Sequence, residues 1–228
     1  MKVVRLYIIF LILLGPLSSY GQSTYEIGVL PEVNIDTKLA TLNAINVEIA
    51  PRFEWAQGTF EGESETDIFY SLLDITSVMT RTVGVDAKVG FGYLVRFRED
   101  AVIHRFIQQY SFTTPYFGYR LGHRFRVDQT FAPNENLEVR MRYRLSSDIS
   151  LNGEFIDPGE VYLKIGQEYV YAIQGSETDL EIRLVPSFGY YFDDANKVEL
   201  GIDYRLDSFL TSAPDHRFWL NLGYYLSL

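Results

Sequence analysis

The chain has 228 residues, no cysteine, 20 Lys+Arg against 30 Asp+Glu and a formal net charge of −10. Such acidity argues against a nucleic-acid ligand, and the missing cysteines exclude disulfide staples. With 17 Tyr and 16 Phe the chain is too aromatic to be disordered, and its length suits one domain.

The opening stretch, "MKVVRLYIIFLILLGPLSSYGQ", has a basic start at Lys2 and Arg5, then an apolar run from Leu6 to Leu14. Ser19 and Gly21 place small residues at −3 and −1 of a cut after Gly21. This reads as a secretory signal peptide over residues 1–21, leaving residues 22–228 as the working domain. The alternative, an anchoring helix, needs roughly 20 apolar residues, more than this run supplies. No cysteine lies near the cut, so the exported chain is not expected to be a lipoprotein. Removing two cations with the leader takes the net charge from −10 to −12.

Beyond the leader no 3.6-residue period persists, and no internal repeat stands out apart from a strand-sized rhythm. Period two recurs instead. Ile45, Val47, Ile49, Phe53 and Trp55 alternate with Asn46, Glu48, Arg52 and Glu54. Val89, Phe91, Tyr93, Val95 and Phe97 alternate with Lys88, Gly90, Gly92, Arg96 and Arg98, and Leu94 is an apolar exception on the second face. Leu137, Val139, Met141, Tyr143 and Leu145 alternate with Glu138, Arg140, Arg142 and Arg144. Leu180, Ile182, Leu184, Phe188, Tyr190 and Phe192 form the apolar face of a later segment, and Val198, Leu200, Ile202, Tyr204 and Leu206 that of the next. The last segment, "RFWLNLGYYLSL", alternates to its final residue. Eleven segments are predicted: 25–36, 44–56, 68–80, 85–98, 102–112, 116–131, 137–151, 160–172, 179–192, 197–207 and 216–228.

A soluble sandwich and a transmembrane barrel both alternate in this way. Length favours the barrel, because soluble strands average five or six residues and a tilted spanning strand needs about 9–11. Aromatics near segment ends agree with girdles: Trp55, Phe97, Phe131 and Tyr171 at one set, Phe112, Tyr116, Tyr190 and Phe192 at the other. No 18-residue apolar stretch follows the leader, so a closed barrel is the remaining way to satisfy the backbone in lipid. The expected fold is all-β: a transmembrane antiparallel up-and-down β-barrel of 10–12 strands in the outer membrane of a Gram-negative bacterium. The final segment is then a closing strand that pairs with the first. It resembles the carboxy-terminal signature that outer-membrane assembly machinery reads, which makes that machinery an expected partner beside outer-membrane lipid.

"YRLGHRFRVDQTF" followed by "LEVRMRYRL", with "PGEVYLKIGQEY" and "FWLNLGYY", resembles the domain-of-unknown-function family 2490 of bacterial outer-membrane β-barrel proteins. The resemblance covers most of the exported chain. It implies the location and the fold; the family carries no established activity to transfer.

Single-chain bacterial barrels have even strand numbers. Eleven segments therefore imply ten strands if Tyr25–Asp36 is not a full strand, or twelve if a short one is hidden. Counting back from a descending last strand makes "QGTFEGESETD", "FAPNEN", "AIQGSETD" and "DSFLTSAPD" external loops, and "TRTV", "TTP" and "DDAN" periplasmic turns, the longer loops outside being the expected asymmetry; "NGEFIDPGE" is a long turn for the periplasmic side.

Strand parity points Arg120, Arg124, Arg126 and Asp128 inward from one segment, and Glu138, Arg140, Arg142 and Arg144 from the next. Neighbouring strands lie about 4.8 Å apart, so these residues form a dense basic wall. Arg105 and Lys164 extend it. Glu48, Glu54, Asp74, Glu168, Glu181, Glu199 and Asp203 supply acids elsewhere around the ring, among further cations Arg52, Arg183 and Arg205. Two readings follow: an interior filled by side chains that neutralise one another, or a narrow pore whose cationic wall attracts small anionic solutes.

Enzymatic readings find little support. His104, His123 and His216 are the histidines, and His123 falls on the outward parity, where a membrane interface accommodates it. There is no G-x-S-x-G elbow, no H-E-x-x-H and no metal-ligand spacing. A lipid-modifying hydrolase is the alternative class. The acidic stretch with Glu61, Glu63, Glu65 and Asp67 reads as a solvated loop, against a weaker reading as a site for divalent cations. The expectation is a non-enzymatic outer-membrane barrel, structural or a small pore, with no cofactor.

Overall fold

The computed structural model describes residues 23–62, 64–210 and 213–228; the expected signal peptide lies outside them. Eleven strands follow one another: β1 (Thr24–Ala40), β2 (Asn43–Thr59), β3 (Ser64–Thr82), β4 (Ala87–Phe97), β5 (Val102–Tyr116), β6 (Tyr119–Phe131), β7 (Glu138–Ser150), β8 (Glu160–Gln174), β9 (Glu177–Tyr191), β10 (Asn196–Asp207) and β11 (Asp215–Ser227). They form one closed barrel in which every strand pairs with its sequence neighbours. All eleven predicted segments are strands, mostly longer than expected.

Closure answers the parity problem differently from either expectation. The count is eleven, neither ten nor twelve, and the barrel closes by a parallel pairing of β1 with β11. An odd number of up-and-down strands leaves the first and last running the same way, so no antiparallel closure is available. The register is unbroken, from Thr24 opposite Asp215 to Asp36 opposite Ser227. The amide of Leu228 donates to the carbonyl of Asp36 at 2.8 Å. The edge of the last strand is therefore satisfied to its final residue, as a closed barrel requires.

The start of β1 defines an upper rim and the end of β11 a lower rim. The upper rim carries residues 60–62, 98–101, 132–137, 175–176 and 208–210. The lower rim carries 41–42, 83–86, 117–118, 151–159 and 192–195. The predicted contrast of long upper loops with short lower turns is absent. Strands β2 and β3 run far into the stretch taken as a loop, and the longest lower connection, 151–159, exceeds every upper one. Gly118, Gly153, Gly159 and Gly175 take positive φ in these connections, which glycine does without steric cost.

The two faces differ in kind. Outward positions are mainly apolar, with Ile49, Ile75, Phe91, Phe106, Phe125, Phe188, Leu200, Ile202, Leu220 and Leu222 exposed, while the outward amides of Gln108 and Gln129 bond to each other. Inward positions hold the charges together with a few large apolar groups. Leu30, Ala50 and Trp219 pack together at the closure seam, and Val78, Leu94 and Ile107 pack together on β3, β4 and β5. Small residues make room for the large ones. Gly28 stands opposite Trp219 in the seam register, and the Trp219 ring and the Phe53 carbonyl oxygen occupy the place a Cβ would need. Gly189 likewise yields to the Tyr162 ring.

Candidate functional site

The basic wall arises from register. Strand β6 sets Arg124 opposite Arg144, Arg126 opposite Arg142, Asp128 opposite Arg140 and Arg120 opposite Asp148 on β7. Like charges directly opposite destabilise a strand pair, so this arrangement needs carboxylates from elsewhere. Strand β8 brings one, because Arg144 faces Glu168.

Glu168, 1 % exposed, is the hub. Its carboxylate accepts from Arg142 Nη2 at 2.7 Å and from Arg124 Nη2 at 3.1 Å. Arg183 Nη1 at 3.5 Å and Arg144 Nε at 3.8 Å complete the ring of cations. Asp128, with no exposed surface, accepts from Arg126 Nε at 2.5 Å and Arg142 Nη1 at 3.1 Å. Arg142 thus bridges the two acids. Arg183 extends the network by donating to Glu181 at 2.5 Å and 2.9 Å, and Arg205 pairs with Asp203 at 2.6 Å.

The other predicted residues sit around this network. Arg140 pairs with Glu138 at 2.8 Å. Arg120 pairs with Asp148 near the lower rim and is largely exposed. Lys164 pairs with Glu199 at 2.8 Å, and Tyr162 donates to the same carboxylate at 2.7 Å. Arg105 donates to Thr130 at 2.9 Å. Asp74 accepts two bonds from Arg96, at 2.7 and 2.6 Å. Arg52 lies 4.8 Å from the centre of the Trp219 ring, a cation–π contact. Glu48 and Glu54 are in no ion pair among the described residues.

Reading the sequence missed two parts of the interior. One is the seam cluster, in which Arg217 pairs with Glu26 at 3.1 Å and with Asp207 at 2.7 Å, while Tyr225 donates to Glu32 at 2.6 Å. Only ring closure brings β1 and β11 together, and no local pattern encodes that register. The other is a set of buried apolar side chains. Trp219, Leu72, Ile107 and Val170 are all 2 % exposed or less and occupy inward positions. Their sequence signal is a break in alternation of the kind Leu94 also shows.

The three histidines each engage a tyrosine hydroxyl through Nδ1: His104 with Tyr93 at 2.6 Å, His123 with Tyr143 at 3.0 Å and His216 with Tyr204 at 2.9 Å. No group of His, Cys, Asp or Glu suited to a metal ion occurs among the described residues. In the acidic stretch, Glu65 and Asp67 belong to β3, and Gln57 donates to Glu65 at 3.3 Å.

Asp128, Glu168, Ile107, Val170, Leu72 and Trp219, charged and apolar groups on inward positions, are each 2 % exposed or less. No curated protein and no solved structure matches the chain. The family model described as "Protein of unknown function (DUF2490)" matches residues 28–215, most of the barrel, and the chain belongs to that family.

Proposed function

We propose that this protein is a non-enzymatic outer-membrane β-barrel whose Arg-rich lumen is closed at rest by its own side chains. An outward face that is mainly apolar on all sides of the ring supports the membrane placement, since soluble monomers rarely expose contiguous apolar patches beyond a few hundred Å². Closed barrels satisfy every backbone group without water. The observation that carries the closed-lumen reading is the barrier itself: Asp128 at 0 %, Ile107 at 0 %, Glu168 at 1 % and Trp219 at 1 % exposure. Each arginine of the wall that faces the barrier has a carboxylate or hydroxyl partner, which favours a structural interior over a wet one. The more exposed Arg120, Arg124 and Arg144 lie on the lower side of the barrier, where they favour anions in any path that opens.

Planar-bilayer recording tests this. Purified wild-type protein is expected to show no steady conductance. Replacing Trp219 and Leu72 together with alanine removes the largest apolar parts of the barrier. That variant is expected to conduct with anion preference, weakened as salt screens the arginines over a Debye length of about 10 Å at 0.1 M. Steady wild-type channels overturn the closed-lumen reading.

A further inference from the structure

All three histidines of the chain occur in one tripeptide, His-Arg-Phe: His104–Phe106, His123–Phe125 and His216–Phe218. The structure gives the three copies the same surroundings. The phenylalanine stands directly opposite a tyrosine of the neighbouring strand: Phe106 opposite Tyr93, Phe125 opposite Tyr143, Phe218 opposite Tyr204. Each pair of rings is in contact, with centroids 5.3, 4.9 and 5.0 Å apart. The histidine stands opposite an aliphatic residue, Val95, Leu145 or Leu206. Its ring reaches diagonally to the same tyrosine, within the range that cross-strand diagonals allow. The middle arginine points the other way, into the interior: Arg105 to Thr130, Arg124 to Glu168, Arg217 to Glu26 and Asp207.

The hydrogen bond sets which imidazole nitrogen carries the proton. A phenol O–H is a stronger acid than a neutral imidazole N–H, so the tyrosine donates and Nδ1 accepts. The remaining proton then sits on Nε2, and a protonated imidazole also has a proton there. In either charge state Nε2–H is a donor, and it has no partner among the described residues. The outer wall thus carries three donors oriented by tyrosines, none with an acceptor among the described residues.

Their positions along the barrel are not random. His104 and His216 sit at the starts of β5 and β11, by the upper rim, and His123 sits near the start of β6, by the lower rim. Phe112, on the strand of His104, is opposite His123. The eight-residue step from His104 to Phe112 spans roughly 26 Å along the strand at about 3.3 Å per residue. With a strand tilt of about 35–45° this is roughly 20 Å along the barrel axis, close to the apolar band of about 25 Å in outer-membrane barrels.

We infer that the three His-Arg-Phe tripeptides, each with its cross-strand tyrosine, form lipid-phosphate sites that hold Nε2–H to the phosphodiester of a membrane phospholipid at both edges of the apolar band. The inference rests on the membrane placement proposed above. Phospholipid is the occupant because its phosphodiester lies in the polar headgroup region at the edges of the hydrocarbon core, level with donors placed by both rims. The acceptor suits the donor: an N–H to a phosphate oxygen is a charge-assisted hydrogen bond.

The test uses the full barrel with [15N]histidine, reconstituted in phosphatidylglycerol vesicles. Solid-state 15N–31P dipolar dephasing is expected at Nε2 of the three imidazoles and to be weaker at Nδ1. Tyr143→Phe keeps the ring stack but frees the Nδ1 of His123. Dephasing is expected to fall at His123 and to stay unchanged at His104 and His216. Quenching of exposed Trp55 by phospholipids brominated in their acyl chains reads membrane insertion separately. Quenched Trp55 without Nε2 dephasing overturns the phosphate sites alone. Absence of both overturns the membrane placement with them.

Discussion

Glu168 collects guanidinium groups from three strands, with Arg142, Arg124, Arg183 and Arg144 between 2.7 and 3.8 Å away. Neutralising it leaves buried like charges facing each other across β6 and β7. Glu168→Gln is expected to cost about 3–5 kcal/mol, the range for breaking a buried pair by removing one partner. A fall in the urea midpoint of the folded barrel checks this. An unchanged midpoint would mean that water, not the carboxylate, satisfies the arginines. Gly28 meets a different constraint, because the Phe53 carbonyl and the Trp219 ring fill the space of a side chain. Gly28→Ala is expected to destabilise the seam by roughly 1–3 kcal/mol through overpacking, measured in the same denaturation. An alanine at the open positions near Gly118 gives no such crowding, although positive φ there still disfavours it.

At the scale of a strand, β11 combines two environments. Leu220 and Leu222 are exposed on its outer face, whereas Trp219 and Asn221 are buried on its inner face. Alternation alone suggests that a charge is tolerated on the inner face, but packing reverses that expectation. Asn221 approaches Glu32, and the space beside Gly223 is taken by the Tyr225 ring, so an arginine at either position clashes. On the proposed membrane placement, Leu222→Arg costs about 2–4 kcal/mol near the bilayer midplane, and the cost falls towards the interfaces. Tyr224, whose hydroxyl donates to Asn196 near the lower rim, should therefore tolerate arginine better than Leu222. The fraction of each variant that migrates as a folded barrel after reconstitution in phospholipid checks the order. Equal loss at the two positions would argue against a depth-dependent apolar environment.

For the whole molecule, parallel closure separates the beginning of β1 from the end of β11 and puts them at opposite rims. The expected orientation, with the last strand descending towards the periplasm, then places the start of β1 on the outside. Loop lengths no longer support that orientation, since both rims carry short connections. It rests on the direction of the closing strand alone. Single cysteines at Gly175 and Asn134 are expected to react with an impermeant maleimide on intact cells, while cysteines at Phe117 and Asp194 should not. The reverse pattern would invert the barrel without altering its fold.

The eleven segments, their order and the division into two faces were legible in the sequence. They depend on a period of two and on sequence neighbours pairing, and both are local. The eleven segments, the inward parity of Arg124, Arg142 and Glu168, and the outward parity of His123 all follow from counting along single strands. What closes the ring is not local. An even-numbered precedent pointed to ten or twelve strands, yet β1 and β11 meet in parallel, over a separation that no alternation pattern reports. The same is true of the barrier. Each apolar residue on an inward position looked like a lone exception, and only the curvature of the closed sheet brings Leu30 and Ala50 against Trp219. Period and composition set which face each side chain takes. The register of the closed ring decides which side chains share the middle of the barrel, because contacts across the interior depend on the stagger of all eleven strands together.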